Sequence, residues 1–314
     1  MMNRLRLSLV SSVCVGAGGV LGILYERKKV KSAKIGNFLP ALHAVDVEDG
    51  KNFSKEKPPY FSSSSMSHKE TPEQYARRNE IMRFGYPGYE NLKYRDDYVL
   101  SYNRRLRLPN WVCEHLTVER LRKRVADRSK CDFTIDTSVH PMFRVTNEDY
   151  RKSGYDRGHM AAAANHRYSQ DANCQTFLLS NIGPQVGSGF NRDSWEHLEK
   201  YVRHLPRSYK NVYVLTGPLF LPKLEQDGHL YVKYKLIGQH RIAVPTHYFK
   251  VVLTESHNNK YELQSYILPN QPINEKTPLH RFQVPVETIE KASGLVMFEK
   301  LPRKYITEVQ PQFN

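Results

Sequence analysis

The chain has 314 residues, 39% of them hydrophobic and 25% charged. That is ample for one large domain or two modest ones with a core, and it excludes a wholly disordered chain. Lys and Arg number 47 against 32 Asp and Glu, a formal net charge of +15, which points to a polyanionic partner, either nucleic acid or an anionic membrane surface, without separating the two.

Before Glu26 the chain carries Arg4 and Arg6 and no acid, and residues 7–25 hold no charge at all. Glu26, Arg27, Lys28, Lys29 and Lys31 then follow. A secretory signal would want a shorter apolar centre and a small-residue cleavage site. A basic, Ser-containing, acid-poor start fits a mitochondrial presequence, and the uncharged stretch has spanning length. Residues 1–31 therefore read as a presequence running into a possible membrane anchor at 7–25, with a disordered basic tail as the plainer alternative. Residues 32–70 read as a linker, with Lys57-Pro58-Pro59 and the run Ser62 to Ser65, and the folded domain is expected over 71–314.

Within that domain, Tyr98, Leu100 and Tyr102 alternate as a strand does, and Trp111 to Cys113 continue the pattern. A short basic helix is expected over 118–124. A strand over 212–215 should stop at Gly217-Pro218. Asp227-Gly228 is a hairpin signal before a strand whose one face is Leu230, Val232, Tyr234 and Leu236. Further strands are expected over 242–244, 248–253 and 263–268, and a helix over 286–293 ended by Gly294. Many strands and few helices give an α+β domain on an antiparallel central sheet. The clearest helix spans 192–205, capped by Asn191 and stopped by Pro206, with Trp195, Leu198, Val202 and Leu205 as its apolar stripe. Asn191, Glu199 and Arg203 border that stripe along one drifting edge. An amide, a carboxylate and a guanidinium beside a buried face suit a site better than packing.

The four cysteines, Cys14, Cys113, Cys131 and Cys174, include no CxxC pair. A zinc site is not expected, and the thiols read as reduced and structurally incidental.

The densest chemistry is Asp156-Arg157-Gly158-His159, where Gly158 allows a close turn, Asp156 can fix the imidazole or the turn, and Arg157 offers a fork to phosphate. Leu179-Ser180-Asn181-Ile182-Gly183-Pro184-Gln185 and then Asn191 follow. Phosphodiester hydrolysis needs an activated water, a cation on the phosphate and positive charge for the transition state. A neutral His can take a proton from water. Mg²⁺ keeps most of its waters, so one amide oxygen can suffice as ligand, with Glu199 holding a water. Arg157, Arg203 and Arg128 can stabilise phosphate charge. Singly, each has an ordinary role: one of thirteen histidines, a helix cap, a surface acid and its i+4 partner. The intact spacing argues for the site.

These segments, with Asp127-Arg128, Leu215 to Leu219, Ala243 to His247 and Ala292-Ser293-Gly294, resemble the DNA/RNA non-specific endonuclease family, and among it the mitochondrial members, over roughly residues 83–300. The resemblance implies a ββα-metal (His-Me finger) fold, Mg²⁺ or Mn²⁺, a homodimer, cleavage of DNA and RNA leaving 5′-phosphate ends, and a role in mitochondrial or apoptotic DNA degradation. It implies residence in the mitochondrion, with possible release to the nucleus, and the uncharged stretch after the basic start points to the intermembrane space. By motif position His159 matches the general base, Asn191 the metal ligand, Glu199 the residue that holds metal-bound water, and Arg157, Arg203 and Arg128 the phosphate environment. Asn181 belongs to the catalytic set without an assigned role. Where the family usually has acidic residues before Thr-Phe, this chain reads Asn173-Cys174-Gln175-Thr176-Phe177. That departure leaves room for a catalytically weak nucleic-acid-binding paralogue on the same fold, and a membrane-tethered interaction protein is the third reading.

Overall fold

The structure is a computed structural model that describes residues 70–309; the expected presequence, anchor and nearly all of the linker lie outside them. Among the described residues no helix is long and apolar enough to cross a membrane.

The first element is a helix the hydrophobic pattern does not announce, α1 (Pro72–Ile81). It forms because its start is well capped: the Thr71 side chain accepts from the Gln74 N–H, the Gln74 side chain accepts from the Thr71 N–H, and Pro72 occupies the first turn. Its hold on the domain is largely polar. Buried Arg77 donates to Asp97 at 2.7 Å and to the His115 carbonyl at 2.7 Å.

Seven strands form one sheet: β1 (Leu92–Tyr94), β2 (Tyr98–Asn103), β3 (Leu108–Leu116), β6 (Asn211–Leu219), β11 (His247–Glu255), β12 (Tyr261–Pro269) and β13 (Ile306–Glu308), side by side in that order. Every pairing is antiparallel except β12 with β13. Period-2 alternation sorts the side chains onto two cores. Val99, Trp111, Cys113, Tyr213 and Leu215 pack on one face with Ile81 of α1 and Ile289 of the helix Val286–Ser293. Leu100, Val112, Val212, Val214 and Tyr248 pack on the other with Trp195, Leu198 and Val202. Helix 286–293 ends as expected, with Gly294 at φ +71°.

Two strand expectations need correction. β6 runs on through Gly217-Pro218 to Leu219. Its ladder to β3 ends at Thr216, so the missing Pro218 N–H faces no β3 partner, while pairing to β11 continues to Leu219. The segment 230–236 is not one half-buried strand. It splits into β8 (Leu230–Tyr231), paired with β7 (Lys223–Leu224) around the Asp227-Gly228 turn, and β9 (Leu236–Ile237), paired with β10 (Ile242–Ala243). Leu230, Val232 and Leu236 are exposed; their alternation has no layer beneath it.

The cysteine expectation is also overturned. Cys131 and Cys174 form a disulfide across 43 residues of sequence, and Cys113 is a buried free thiol. Connectivity over such a span is not readable from spacing.

Candidate active site

A separate hairpin, β4 (Asp156–His159) against β5 (Ile182–Gln185), carries the central motif, with Gly158 opposite Gly183 and His159 opposite Ile182. Gly158 is required by close approach: a Cβ there would stand 2.1 Å from the Gln185 side chain. After β5 the chain enters a wide helical turn, Gly187–Ser194, kinked at Ser188 and Gly189, and then α5 (Trp195–His204). The order is that of a ββα-metal unit: His159 ends β4, Asn191 lies in the wide turn after β5, and Glu199 is on α5.

Asn191 is not the cap of that helix. Its N–H donates to the Val186 carbonyl at 2.9 Å inside the wide turn, and its side-chain Nδ2 donates to Asp156 Oδ2 at 3.0 Å. Arg192 holds the same carboxylate through Nε at 2.8 Å and Nη2 at 3.1 Å, and these donors keep Asp156 below the usual carboxylate range. A carboxylate only accepts, so Asp156 must meet the Asn191 NH₂ group, leaving the amide oxygen as the atom free for a cation. Asp156 therefore orients Asn191 and not, as the sequence also allowed, the imidazole.

His159 lies between two rings, Phe177 edge-on at 4.7 Å and Phe133 tilted at 5.3 Å. Burial, then the positive charges of Arg128, His166 and Arg157, lower its pKa to about 3, so the ring is neutral at pH 7. Its Nε2 is buried without a partner among the described residues. The two arginines are set on the outer faces of the same rings: Arg128 at 4.0 Å from the Phe177 centroid and Arg157 at 4.3 Å from that of Phe133. Arg128 also donates to the Cys131 carbonyl at 3.0 Å, and Arg157 to Asn147 Oδ1 at 2.7 Å.

Glu199 and Arg203 stand one turn apart on α5. Burial raises the Glu199 carboxyl to about 7, opposed by Lys250 and Arg203. Arg203 Nη1 donates to Asn165 Oδ1 at 3.1 Å.

Asn181 occupies a different place from the one its inclusion among catalytic groups implied. It is fully buried. Its Oδ1 accepts from the Ala161 N–H at 2.9 Å, and its Nδ2 donates to the carbonyls of Ala161 and Thr176 at 3.1 and 2.8 Å. With both amide atoms committed it clamps the chain leaving His159 to that approaching Phe177, and it has no atom left for substrate.

Beneath the site lies a buried charge network that motif reading missed. Asn165 Nδ2 donates to Glu114 Oε1 at 2.8 Å. His166 bridges Glu114 and Asp97, each at 2.9 Å; burial opposes its charge, but the two carboxylates win and raise its pKa to about 9. Lys250, also buried, donates to Thr216 at 2.7 Å and sits 5.0 Å from the Trp195 ring centroid. Charged residues inside apolar strands, Glu114 in β3 and Lys250 in β11, are the signal that could have exposed them.

No group of three or more His, Cys, Asp or Glu among the described residues is arranged to hold a metal. The donor set fits a hard, hydrated dication on one amide oxygen, with a carboxylate nearby for its waters.

A model of the DNA/RNA non-specific endonuclease family matches residues 77–304. The chain is 55% identical over 217 residues to human mitochondrial endonuclease G, covering 69% of this chain and 72% of that one. It is 50% identical over 234 residues to the Caenorhabditis elegans mitochondrial endonuclease G, covering 74% and 76%, and 43% identical over 230 residues to a Saccharomyces cerevisiae mitochondrial nuclease, covering 71% and 70%. A crystal structure of the EndoG/EndoGI complex superposes with a TM-score of 0.73 at 54% identity, over 74% of this chain and 95% of that one. On these findings the chain belongs to the DNA/RNA non-specific endonuclease family, as a nuclease of the endonuclease G type.

Proposed function

We propose that the chain hydrolyses phosphodiester bonds of both DNA and RNA with a divalent metal, Mg²⁺ or Mn²⁺, leaving 5′-phosphate ends, with little regard for sugar or sequence. The observation that carries this reading is that one strand, β4, bears both His159 and the carboxylate that aims the Asn191 amide. Neutral His159 takes a proton from water. With Nε2 shut from solvent, Nδ1 is the accepting nitrogen. The water oxygen bonds to phosphorus, the bond to the 3′ oxygen breaks, and the phosphate stays on the 5′ side. Arg128 and Arg157 flank the place where the phosphate must lie, and Arg203 continues that positive edge past Glu199. A phosphate seated there offsets the guanidinium charges that depress His159 and makes the ring a better base once substrate is bound. A dication on Asn191 Oδ1 would supply positive charge to the phosphate and the departing oxygen. Glu199 would hold water bound to that ion.

The test is incubation with supercoiled plasmid and with single-stranded RNA, each with Mg²⁺ and with EDTA. Both polymers should be cut with Mg²⁺ and neither with EDTA; confinement of cleavage to one short defined sequence contradicts the reading.

The wider setting rests on the sequence and on the relatives named as mitochondrial. In this reading residues 1–31 direct the chain to mitochondria and 7–25 associate with the inner membrane. Residues 32–70 link to the nuclease domain at 71–314, which works as a homodimer in the intermembrane space and degrades DNA there or, after release, in the nucleus. A fluorescent fusion of residues 1–60 should enter mitochondria; cytosolic or secreted fluorescence refutes the address. Sedimentation of the purified chain as a monomer refutes the dimer.

A further inference from the structure

A cavity of about 1170 Å³ opens where α5 ends, between that end and the short helix α2 (Val118–Arg122). Arg122, Arg124, Arg203, Arg207 and Lys210 line it, against a single carboxylate, Glu119. Glu119 is engaged at its own helix start: the backbone N–H there and the Thr117 hydroxyl hold it below the usual range, with Arg122 adding to the effect. Arg122, Arg124, Arg207 and Lys210 are exposed, and none makes an ion pair among the described residues. Four exposed cations around one concavity repel one another, and among the described lining residues only Glu119 carries an opposing charge.

Arg203 lines the cavity and lies one helical turn from Glu199 of the site. From the start of α5 at Trp195 to Arg203 the helical rise is roughly 12 Å at 1.5 Å per residue, and Asn191 lies before that start, in the wide turn. A nucleic-acid strand sets a phosphate about every 3.4 Å along its axis, so the cavity begins roughly three to four phosphates or more from the metal-ligating end of the site.

We infer that this cavity is a distal backbone site: it takes the sugar-phosphate chain several nucleotides from the scissile bond, holds it by charge alone, and sets affinity and minimum substrate length. The inference rests on the nuclease reading and extends it. Contacts of this kind carry no base information, which is consistent with a nonspecific enzyme.

The test compares the full chain with a variant carrying Arg122→Gln, Arg124→Gln, Arg207→Gln and Lys210→Gln. A second variant removes the same charge from exposed positions elsewhere, with Lys260→Gln, Lys276→Gln, Lys291→Gln and Lys304→Gln. On a 30-base-pair duplex with Mg²⁺, the cavity variant should raise KM at least tenfold at 0.15 M salt, with the loss concentrated in KM rather than kcat. It should also flatten the slope of log KM against log salt by about 2 to 4, since each lost phosphate contact removes roughly 0.9. On a tetranucleotide the difference from wild type should vanish. Wild-type KM and slope in the cavity variant, or an equal loss in the control variant, overturn the inference. If the wild type cuts no nucleic acid, the nuclease reading fails separately, and duplex binding by gel shift still decides: weaker binding by the cavity variant alone supports the site, equal binding overturns it. Loss of binding to anionic phospholipid vesicles with duplex affinity unchanged also overturns it, and assigns the cavity to a lipid surface.

Discussion

Opening the Cys131–Cys174 disulfide should cost both stability and activity, by separable amounts. Cys174→Ser breaks it with little change in volume. The bond closes a span of 43 residues, and in the chain-entropy account a loop of that length constrains the unfolded state by about 4 kcal/mol. For a folded unit of this size each kcal/mol moves the melting temperature by roughly 2–4 °C, so Cys174→Ser should melt about 8–16 °C lower. The effect on rate follows from position. Cys131 accepts a hydrogen bond from Arg128, and Arg128 stacks on Phe177, the ring that meets His159 edge-on. Loosening that loop should lower kcat/KM on plasmid about tenfold, equivalent to about 1.4 kcal/mol of transition-state stabilisation. The assay is calorimetry and plasmid nicking on both proteins, with a nonreduced digest to show the linked peptides in the wild type. An unchanged melting temperature, with the linked peptide present only in the wild type, refutes the stability argument. An unchanged rate refutes the claim that the bond positions Arg128.

Asp156→Ala should behave as a milder Asn191 variant: the amide loses its orienting acceptor, so the Mg²⁺ concentration for half-maximal nicking rises several-fold while saturating metal restores most of the rate. An unaltered metal requirement would show that Asp156 does not set the amide. His166 gives a pH signature. Its folded pKa of about 9 lies above the unfolded value near 6.5, so its contribution of about 3 kcal/mol is complete below pH 6.5 and is lost as pH rises through 9. The stability gap between wild type and His166→Gln, measured by urea unfolding, should therefore shrink from pH 6 to pH 10; a constant gap refutes the charged bridge.

What was legible in the sequence and what was not divide along physical lines. The helix over 286–293 could be read because Gly294 must take a left-handed conformation at its end. The Asp227-Gly228 hairpin could be read because its turn chemistry is local. The α+β class and the antiparallel sheet followed from many strand signals with few helical ones. Alternation misled at 230–236, because it specifies a face and not whether another layer covers it. α1 was missed since its anchor is Arg77 rather than an apolar stripe, and the 131–174 bond since it is a tertiary event. Of the motif residues, Arg157 and His159 lie on the hairpin, Asn191 in the wide turn after it and Glu199 and Arg203 on the helix that follows, while Arg128 comes from a separate short turn and meets His159 through Phe177. The helix-cap reading of Asn191 was reasonable for its residue type. It failed because a wide turn, kinked where Gly189 takes φ +83°, continues past it and frees the amide to meet Asp156. The carboxylate partners of His166 and Asn165 lie some fifty or more residues away in sequence, beyond any local pattern.

The central claim, that His159 activates water while Asn191 holds the metal, is tested most directly by a Mg²⁺ titration of plasmid nicking for His159→Ala, Asn191→Ala and Glu199→Ala, each confirmed as folded by circular dichroism. His159→Ala should lose about 10²–10⁴-fold or more at every metal concentration, with duplex binding retained. Asn191→Ala should recover part of its rate as metal is raised, and Glu199→Ala should fall between them. Wild-type activity in His159→Ala, or an unchanged metal dependence in an active Asn191→Ala, would contradict the account.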